Sequence, residues 1–468
     1  MADVEIHGRI EFGIIELHQH VRSHHAHLRR AMGDEGGDIE GAHADQADIV
    51  AIGGEAQRAA ALVAEGRFGP DAGMREQRHH LGKDAAFGDG DDQRLAHGSA
   101  RFTRPPPEEQ CRRMADDARN RDSFRWQAEF CAKSGMRIIT RVCSGLADAL
   151  DHTTRTGARV LGWPGDPIAD ALPLRLVGGV HALYRARRAP ALVPLFEDEE
   201  HDPAVIAAVI AQTLAAHDDA LWAWLDGPPQ TNEAARSAVL MSGLLALADR
   251  FRHGLGTPVR FELLEIGSSA GLNLMIDRYG FDLGAVRVGP ENPEILIAPE
   301  WRGAPPPDVR IEIASVRGVD KTPIDLSSEE SAERLMAYVW VDQQDRIERT
   351  TRAIEMARAD PPHLGEGDAA DWVEARLAEP QPEGTARVLM HSIVWQYLPP
   401  EGQARIEAAM AMAGAAATPD RPLGWVAYEG ERALKTHGLT IRSWPGAGET
   451  ERLGSAHPHA AWISWERG

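Results

Sequence analysis

Val259-Arg260-Phe261-Glu262-Leu263-Leu264-Glu265-Ile266-Gly267-Ser268-Ser269-Ala270-Gly271-Leu272-Asn273-Leu274 is the stretch that decides how this chain is read. Val259 to Ile266 has the length and the bulky apolar content of a buried strand. It ends on an acid, Glu265, and runs into a bend of small residues. Ala270 to Arg278 then predicts a helix. In such a strand–bend–helix unit a ligand can approach the backbone closely and meet the free N–H groups of the helix start. Ligands of open α/β sheets bind outside the carboxyl ends of the strands, so this bend is the first candidate binding element.

Two ligand patterns compete for it. The dinucleotide fingerprint G-x-G-x-x-G, started at Gly267, needs glycine at 269 and 272; Ser269 and Leu272 stand there, so it fails. The methyltransferase pattern, acid-x-Gly-x-Gly-x-Gly, fits at Glu265, Gly267 and Gly271, with Ser269 in place of the middle glycine. Asn273 follows as a polar neighbour. A tight β–α turn with no ligand is the structural alternative.

Outward from this unit the chain alternates. Glu312 to Val316, Arg387 to Met390 and Leu423 to Tyr428 read as strands. Ser328 to Arg358, Ala369 to Ala378 and Gln403 to Ala413 read as helices between them. That order implies a parallel sheet covered on both faces. Leu439 to Trp444 and Ala460 to Trp465, joined by the Gly-rich link Pro445 to Gly454, suggest a closing antiparallel hairpin. Before Pro258 the pattern is helical, with Ala204 to Ala216 and Ala234 to Arg250 each presenting an apolar face. The expected fold is therefore α/β, a Rossmann-like methyltransferase sheet with a terminal antiparallel hairpin, preceded by an all-α domain.

The first 122 residues differ from the rest. All 12 Trp and all 5 Tyr lie beyond them, while His18, His20, His24, His25, His27, His79 and His80 crowd within them. A segment so poor in bulky apolar residues packs a core badly. Residues 1–122 therefore read as a disordered or mis-annotated extension, with Met114 a plausible start, 123–255 as a helical domain and 256–468 as the methyltransferase-like domain.

Composition narrows the partners. A net charge of −21 disfavours a nucleic-acid surface, which needs clustered basic residues. Cys111, Cys131 and Cys143 form no C-x-x-C pair, and no spacing of ligands points to a metal. The longest nearly apolar run, Ala238 to Ala248, falls short of the ~20 residues that span a bilayer. A cytoplasmic protein with a small-molecule substrate is the expectation.

Beyond the Glu265 to Leu274 run, several elements occur in order: Gln230-Thr231-Asn232-Glu233, Gly318-Val319-Asp320, Gly367-Asp368-Ala369, His391-Ser392-Ile393-Val394-Trp395-Gln396-Tyr397 and Trp444-Pro445-Gly446. From about residue 123 to the end the chain resembles the uncharacterised bacterial domain-of-unknown-function family 2332. The resemblance implies a methyltransferase-like domain behind a helical one and carries no established activity.

Site residues follow from position. Asp320, after the second core strand, is placed to bind ribose hydroxyls. Asp368 either contacts an adenine amino group, as an acid does in similar methyltransferases, or caps the helix after it. His391 ends a strand at the substrate edge and suits a general base. Trp395 and Tyr397 could wall an acceptor pocket, and Gln230, Asn232, Glu233 and Arg236 would face the acceptor if the helical domain folds over the cleft. The function expected is methyl transfer from S-adenosylmethionine to a small acceptor; the alternative is a non-catalytic module that uses the same cleft to bind a nucleotide or S-adenosylmethionine.

Overall fold

The computed structural model describes residues 108–431 and 436–466. The expectations about the extension and its His clusters lie outside the described residues, except that a helix already runs from Glu108. That helix, α1 (Glu108–Lys133), passes without a break through the boundary expected at 122.

Seven helices build the first layer: α1, α2 (Arg137–Ala149), α3 (Arg155–Leu161), α4 (Leu172–Arg185), α5 (Val193–Phe196), α6 (Pro203–Ala216) and α7 (Asp218–Trp222). Helix α6 shows the local logic. Asp202 accepts hydrogen bonds from the N–H groups of Ala204 and Val205, and Pro203 fills the first helical position, where no N–H is needed. These helices enclose one apolar cluster around Phe124, Leu146, Leu176 and Phe196.

Helix α8 (Arg236–Leu255) belongs elsewhere. The sequence places it with the helices before it, yet its residues from Ala238 to Ala248 are buried in the sheet's own core. It is apolar on every side because sheet and loops surround it. It lies against β1 (Val259–Ile266), β8 (Thr385–Ser392), β9 (Leu423–Glu431) and β10 (Thr436–Trp444).

The remaining strands are β2 (Gly280–Leu283), β3 (Val286–Val288), β4 (Leu296–Ile297), β5 (Glu300–Arg302), β6 (Ile311–Asp320), β7 (Leu364–Glu366), β11 (Glu451–Ala456) and β12 (Trp462–Trp465). Nine strands form one sheet in the order β5-β12-β11-β10-β9-β8-β1-β6-β7. The run β7-β6-β1-β8-β9 is parallel throughout. Helix α11 (Ala369–Ala378) and helix α12 (Pro400–Ala415) cover the face opposite α8. The residues between β1 and β6 form a small second sheet, β3-β2-β4, and the edge strand β5.

Three expectations are corrected. The helix expected from Ala270 to Arg278 is one 3-10 turn, Leu272–Met275. Gly271 enters it in the left-handed region at φ 75°, Asn232 Oδ1 accepts from Leu272 N, and the Tyr279 hydroxyl donates to Leu272 O, so the groups that would propagate a helix are already used. The single helix expected from Ser328 to Arg358 is two, α9 (Glu329–Ala337) and α10 (Gln344–Ala359). The break delivers Tyr338 and Trp340 into the core of the helical layer. It also places Asp342 so that its two carboxylate oxygens accept from Ile138 N and Ile139 N, capping α2 from about two hundred residues away. Last, β10 pairs with β11 rather than with β12, which lies one strand farther out. Gly454, read as part of a link, sits inside β11; a Cβ there would lie 2.1 Å from the carbonyl oxygen of Ser464.

All described residues fall in one compact unit. Among them no single helix is long and apolar enough to cross a membrane.

Candidate functional site

The first core strand, β1, lies between β6, the next in the chain, and β8, reached only after β7. The direction of winding reverses between β1 and β8. Open α/β sheets bind ligands outside the carboxyl ends of the strands at such a switch point. Glu265 near the end of β1, the bend after it and Ser392 at the end of β8 meet there.

The bend has an unusual backbone. Gly267, Ser269 and Gly271 take φ of 68°, 54° and 75°. All three glycine positions of the acid-x-Gly-x-Gly-x-Gly pattern are thus left-handed, and Ser269 adopts a glycine conformation at a steric cost of about 1–2 kcal/mol. Most of the bend's amides, however, are used within the protein rather than left free for a ligand as expected. Gly267 N and Ser268 N donate to Val319 O at 2.9 and 3.2 Å, Gly271 N to Ser268 O at 2.7 Å, and Leu274 N to Gly271 O at 3.0 Å. Ser269 N donates to Asp320 Oδ2 at 2.8 Å, and Leu272 N to Asn232 Oδ1 at 2.9 Å. The glycines admit protein rather than ligand: a Cβ on Gly267 would lie 2.2 Å from Val394 Cγ2, and one on Gly271 2.9 Å from Pro362 Cγ.

Side chains supply the open polar groups instead. Glu265 is 1% exposed. Asn273 Nδ2 donates to its Oε1 at 3.0 Å, while its Oε2 has no hydrogen-bond partner. Burial pushes the Glu265 carboxyl up to about 7, and the nearby Asp320 charge adds to the shift. Asn273 is held in turn: Ser237 Oγ donates to its Oδ1 at 2.9 Å, and its amide also reaches Ser392 Oγ at 3.3 Å. Side chains of α8, β1, β8 and the 3-10 turn therefore converge on one buried carboxyl.

A basic neighbourhood adjoins it. Glu233, fully buried, accepts from Arg346 Nε at 2.5 Å and from Arg349 Nε and Nη2 at 3.1 Å each. Burial alone would raise the Glu233 carboxyl, but the two guanidinium groups outweigh it and hold it below its ordinary value. Glu233 is thus paired with two arginines. Arg236 Nε donates to Pro458 O at 2.8 Å, on the turn between β11 and β12. That turn also carries His457 and His459, with His459 N donating to His457 Nδ1 at 3.1 Å. No sequence pattern singles out Arg349, His457 or His459, and Arg346 stands only at the end of the polar run Asp342-Gln343-Gln344-Asp345.

The other expected residues separate. Asp320 stands at the carboxyl end of β6 with one oxygen on Ser269 N and the other on Thr322 N at 2.8 Å, so it braces the bend. Asp368 caps α11, accepting from Ala370 N at 2.9 Å and Asp371 N at 3.1 Å, which is the helix-cap alternative. Asn232 likewise holds the bend, and Gln230 is half-buried on the approach to α8. His391 faces the opposite side of the sheet. Side chains alternate along a strand, so His391 and Ser392 point to different faces. His391 stacks on Trp395 with centroids 5.2 Å apart and lies edge-on to Trp425 in the layer of α11 and α12. Its Nδ1 is 2.6 Å from Glu429 Oε1, which also accepts from Val394 N and Trp395 N. His391 and Trp395 are thus set apart from the Glu265 cluster, and Tyr397 is 56% exposed.

Comparison with curated proteins and with solved structures gave no match. The family described as an uncharacterised protein conserved in bacteria, DUF2332, matches residues 121–465, a span that takes in every side chain of the cluster around Glu265 and its basic neighbours. The chain belongs to this bacterial family of unknown function.

Proposed function

We propose that the chain is an S-adenosylmethionine-dependent methyltransferase acting on a small acceptor. The observation that carries the reading is Glu265, a buried carboxyl at the β1/β8 switch point with one oxygen unpartnered. The donor's methionine end bears an ammonium group, and such a group would satisfy that oxygen and favour the ionised carboxyl. When bound, the donor supplies a methyl group on a cationic sulfur. Glu265 would hold the ammonium, Asn273 would orient the carboxyl, and Ser237 would fix Asn273. The strand order β7-β6-β1-β8-β9 and the three left-handed bend positions support the same reading.

The fit is partial. The donor would be held mainly by side chains, because most of the bend's amides are engaged, and Asp320 would have to leave Ser269 N to reach a ribose. This internal bonding favours the second reading, a non-catalytic module that binds a ligand at the same edge. Calorimetry on the full chain with S-adenosylhomocysteine separates them. Binding is expected, weakened roughly tenfold or more in Glu265→Gln. A folded protein that binds neither the donor nor its demethylated product overturns the methyl-transfer reading, and the second as well if it binds no other nucleotide. Binding without methyl transfer to any of a broad acceptor panel selects the second.

A further inference from the structure

We infer that Arg236, Arg346, Arg349 and His459 form a subsite for an oxyanion, a carboxylate or a phosphate group carried by a small ligand. The inference rests on the methyl-transfer reading only in calling that ligand the acceptor; the subsite itself stands on the cluster.

Charge is unbalanced around Glu233. Arg346 is 6% exposed and Arg349 half-buried, and both ion-pair with the single carboxylate of Glu233. Two guanidinium groups on one carboxylate leave an excess positive charge in a place where charges are ordinarily matched. The donors are also underused. Arg349 directs Nε and Nη2 at the same oxygen, Glu233 Oε1, and its Nη1 makes no hydrogen bond among the described residues. Thr350, fully buried beside Arg349 on α10, has an unpartnered hydroxyl.

His459 reports what faces this space. Its Nδ1 is buried without a partner. Desolvation, and then the charges of Arg346, Arg236, His457 and Arg349, hold it well below its ordinary value, so three guanidinium groups lie close to a neutral ring. An oxyanion beside Arg346 and Arg349 would balance the second guanidinium on Glu233 and accept from forked guanidinium donors, the geometry for which arginine is suited. Arg236 precedes Ser237, which holds the Asn273 that donates to Glu265, and this puts the subsite next to the proposed donor position.

Thermal melting of the full chain in inorganic phosphate and in succinate, without donor, tests the subsite. Each anion is expected to raise the midpoint of the wild type and of Arg260→Gln, whose exposed side chain pairs with Glu312 at the other end of β1. The rise should vanish in Arg349→Gln and His459→Gln and shrink in Arg349→Lys, which keeps the charge and loses the fork. By calorimetry the affinity should fall tenfold or more in Arg349→Gln. A stronger effect of phosphate names a phosphate ester as the ligand class; a stronger effect of succinate names a carboxylate. No effect of either anion on the wild type, or an equal rise in all variants, overturns the inference. Donor binding is measured separately, so failure of the subsite leaves the Glu265 reading standing.

Discussion

Glu265 and Glu233 are two buried acids in one region with opposite fates. Glu233 meets two guanidinium groups and stays ionised; Glu265 meets one amide, and its carboxyl is raised from 4.5 to about 7. A raised carboxyl burdens the folded state as soon as the same group in the unfolded chain ionises. The cost is absent below pH 4.5, grows as pH rises, and is complete above about pH 7, where it amounts to about 3 kcal/mol. Glu265→Gln removes that titration. Urea unfolding at pH 5 and pH 8 should therefore show the variant gaining on the wild type by most of that amount at the higher pH. Parallel pH profiles would mean that the carboxyl is not desolvated. The sequence shows Glu265 plainly, as an acid ending a strand. It hides the basic neighbours, because Arg346, Arg349 and His459 arrive from segments whose spacing carries no pattern linking them to residue 265 or 233. Ser269 is the reverse case: it departs from the glycine pattern in identity and conforms to it in backbone angle.

Elements were legible where periodicity alone decides them. The core strands β1, β6, β8 and β9 and helix α11 lie where the pattern predicts them, since a buried parallel strand is a continuous apolar run and Asp368 marks its helix start. Misreadings fall where a tertiary contact overrides local preference. The residues from Tyr338 to Gln343 have helical spacing but are drawn out of the helix by the helical layer and by the cap on α2. That cap gives a direct test. Asp342→Ala removes the acceptor for Ile138 N and Ile139 N and should cost about 0.5–2 kcal/mol, read as a lower urea midpoint. It should also speed proteolysis within residues 338–343, since the same contact anchors them. Unaltered stability and cleavage would show that α2 does not depend on this carboxylate.

At the scale of the molecule, the expected division at residue 255 cuts through the sheet's own core. Helix α8 covers β1, β8, β9 and β10, while Tyr338 and Trp340 cross from the α/β part into the helical layer. A chain of residues 256–468 would expose the apolar face that α8 buries, and it should lack a cooperative thermal transition that the full chain shows. A sharp transition in that fragment would mean that α8 is an accessory to the sheet. The architecture was readable from the alternation of elements, but which helix belongs to which core was not, because an apolar helix carries no mark of its partner.

The turn between β11 and β12 brings Pro458 and His459, ten residues from the end of the chain, onto Arg236, which begins α8 near its middle. A ribosome therefore emits the carboxyl-bearing half of the cluster long before the imidazole-bearing half. A nascent polypeptide would carry an unclosed, cation-rich notch, and the cluster would close only once β12 has been made and has docked.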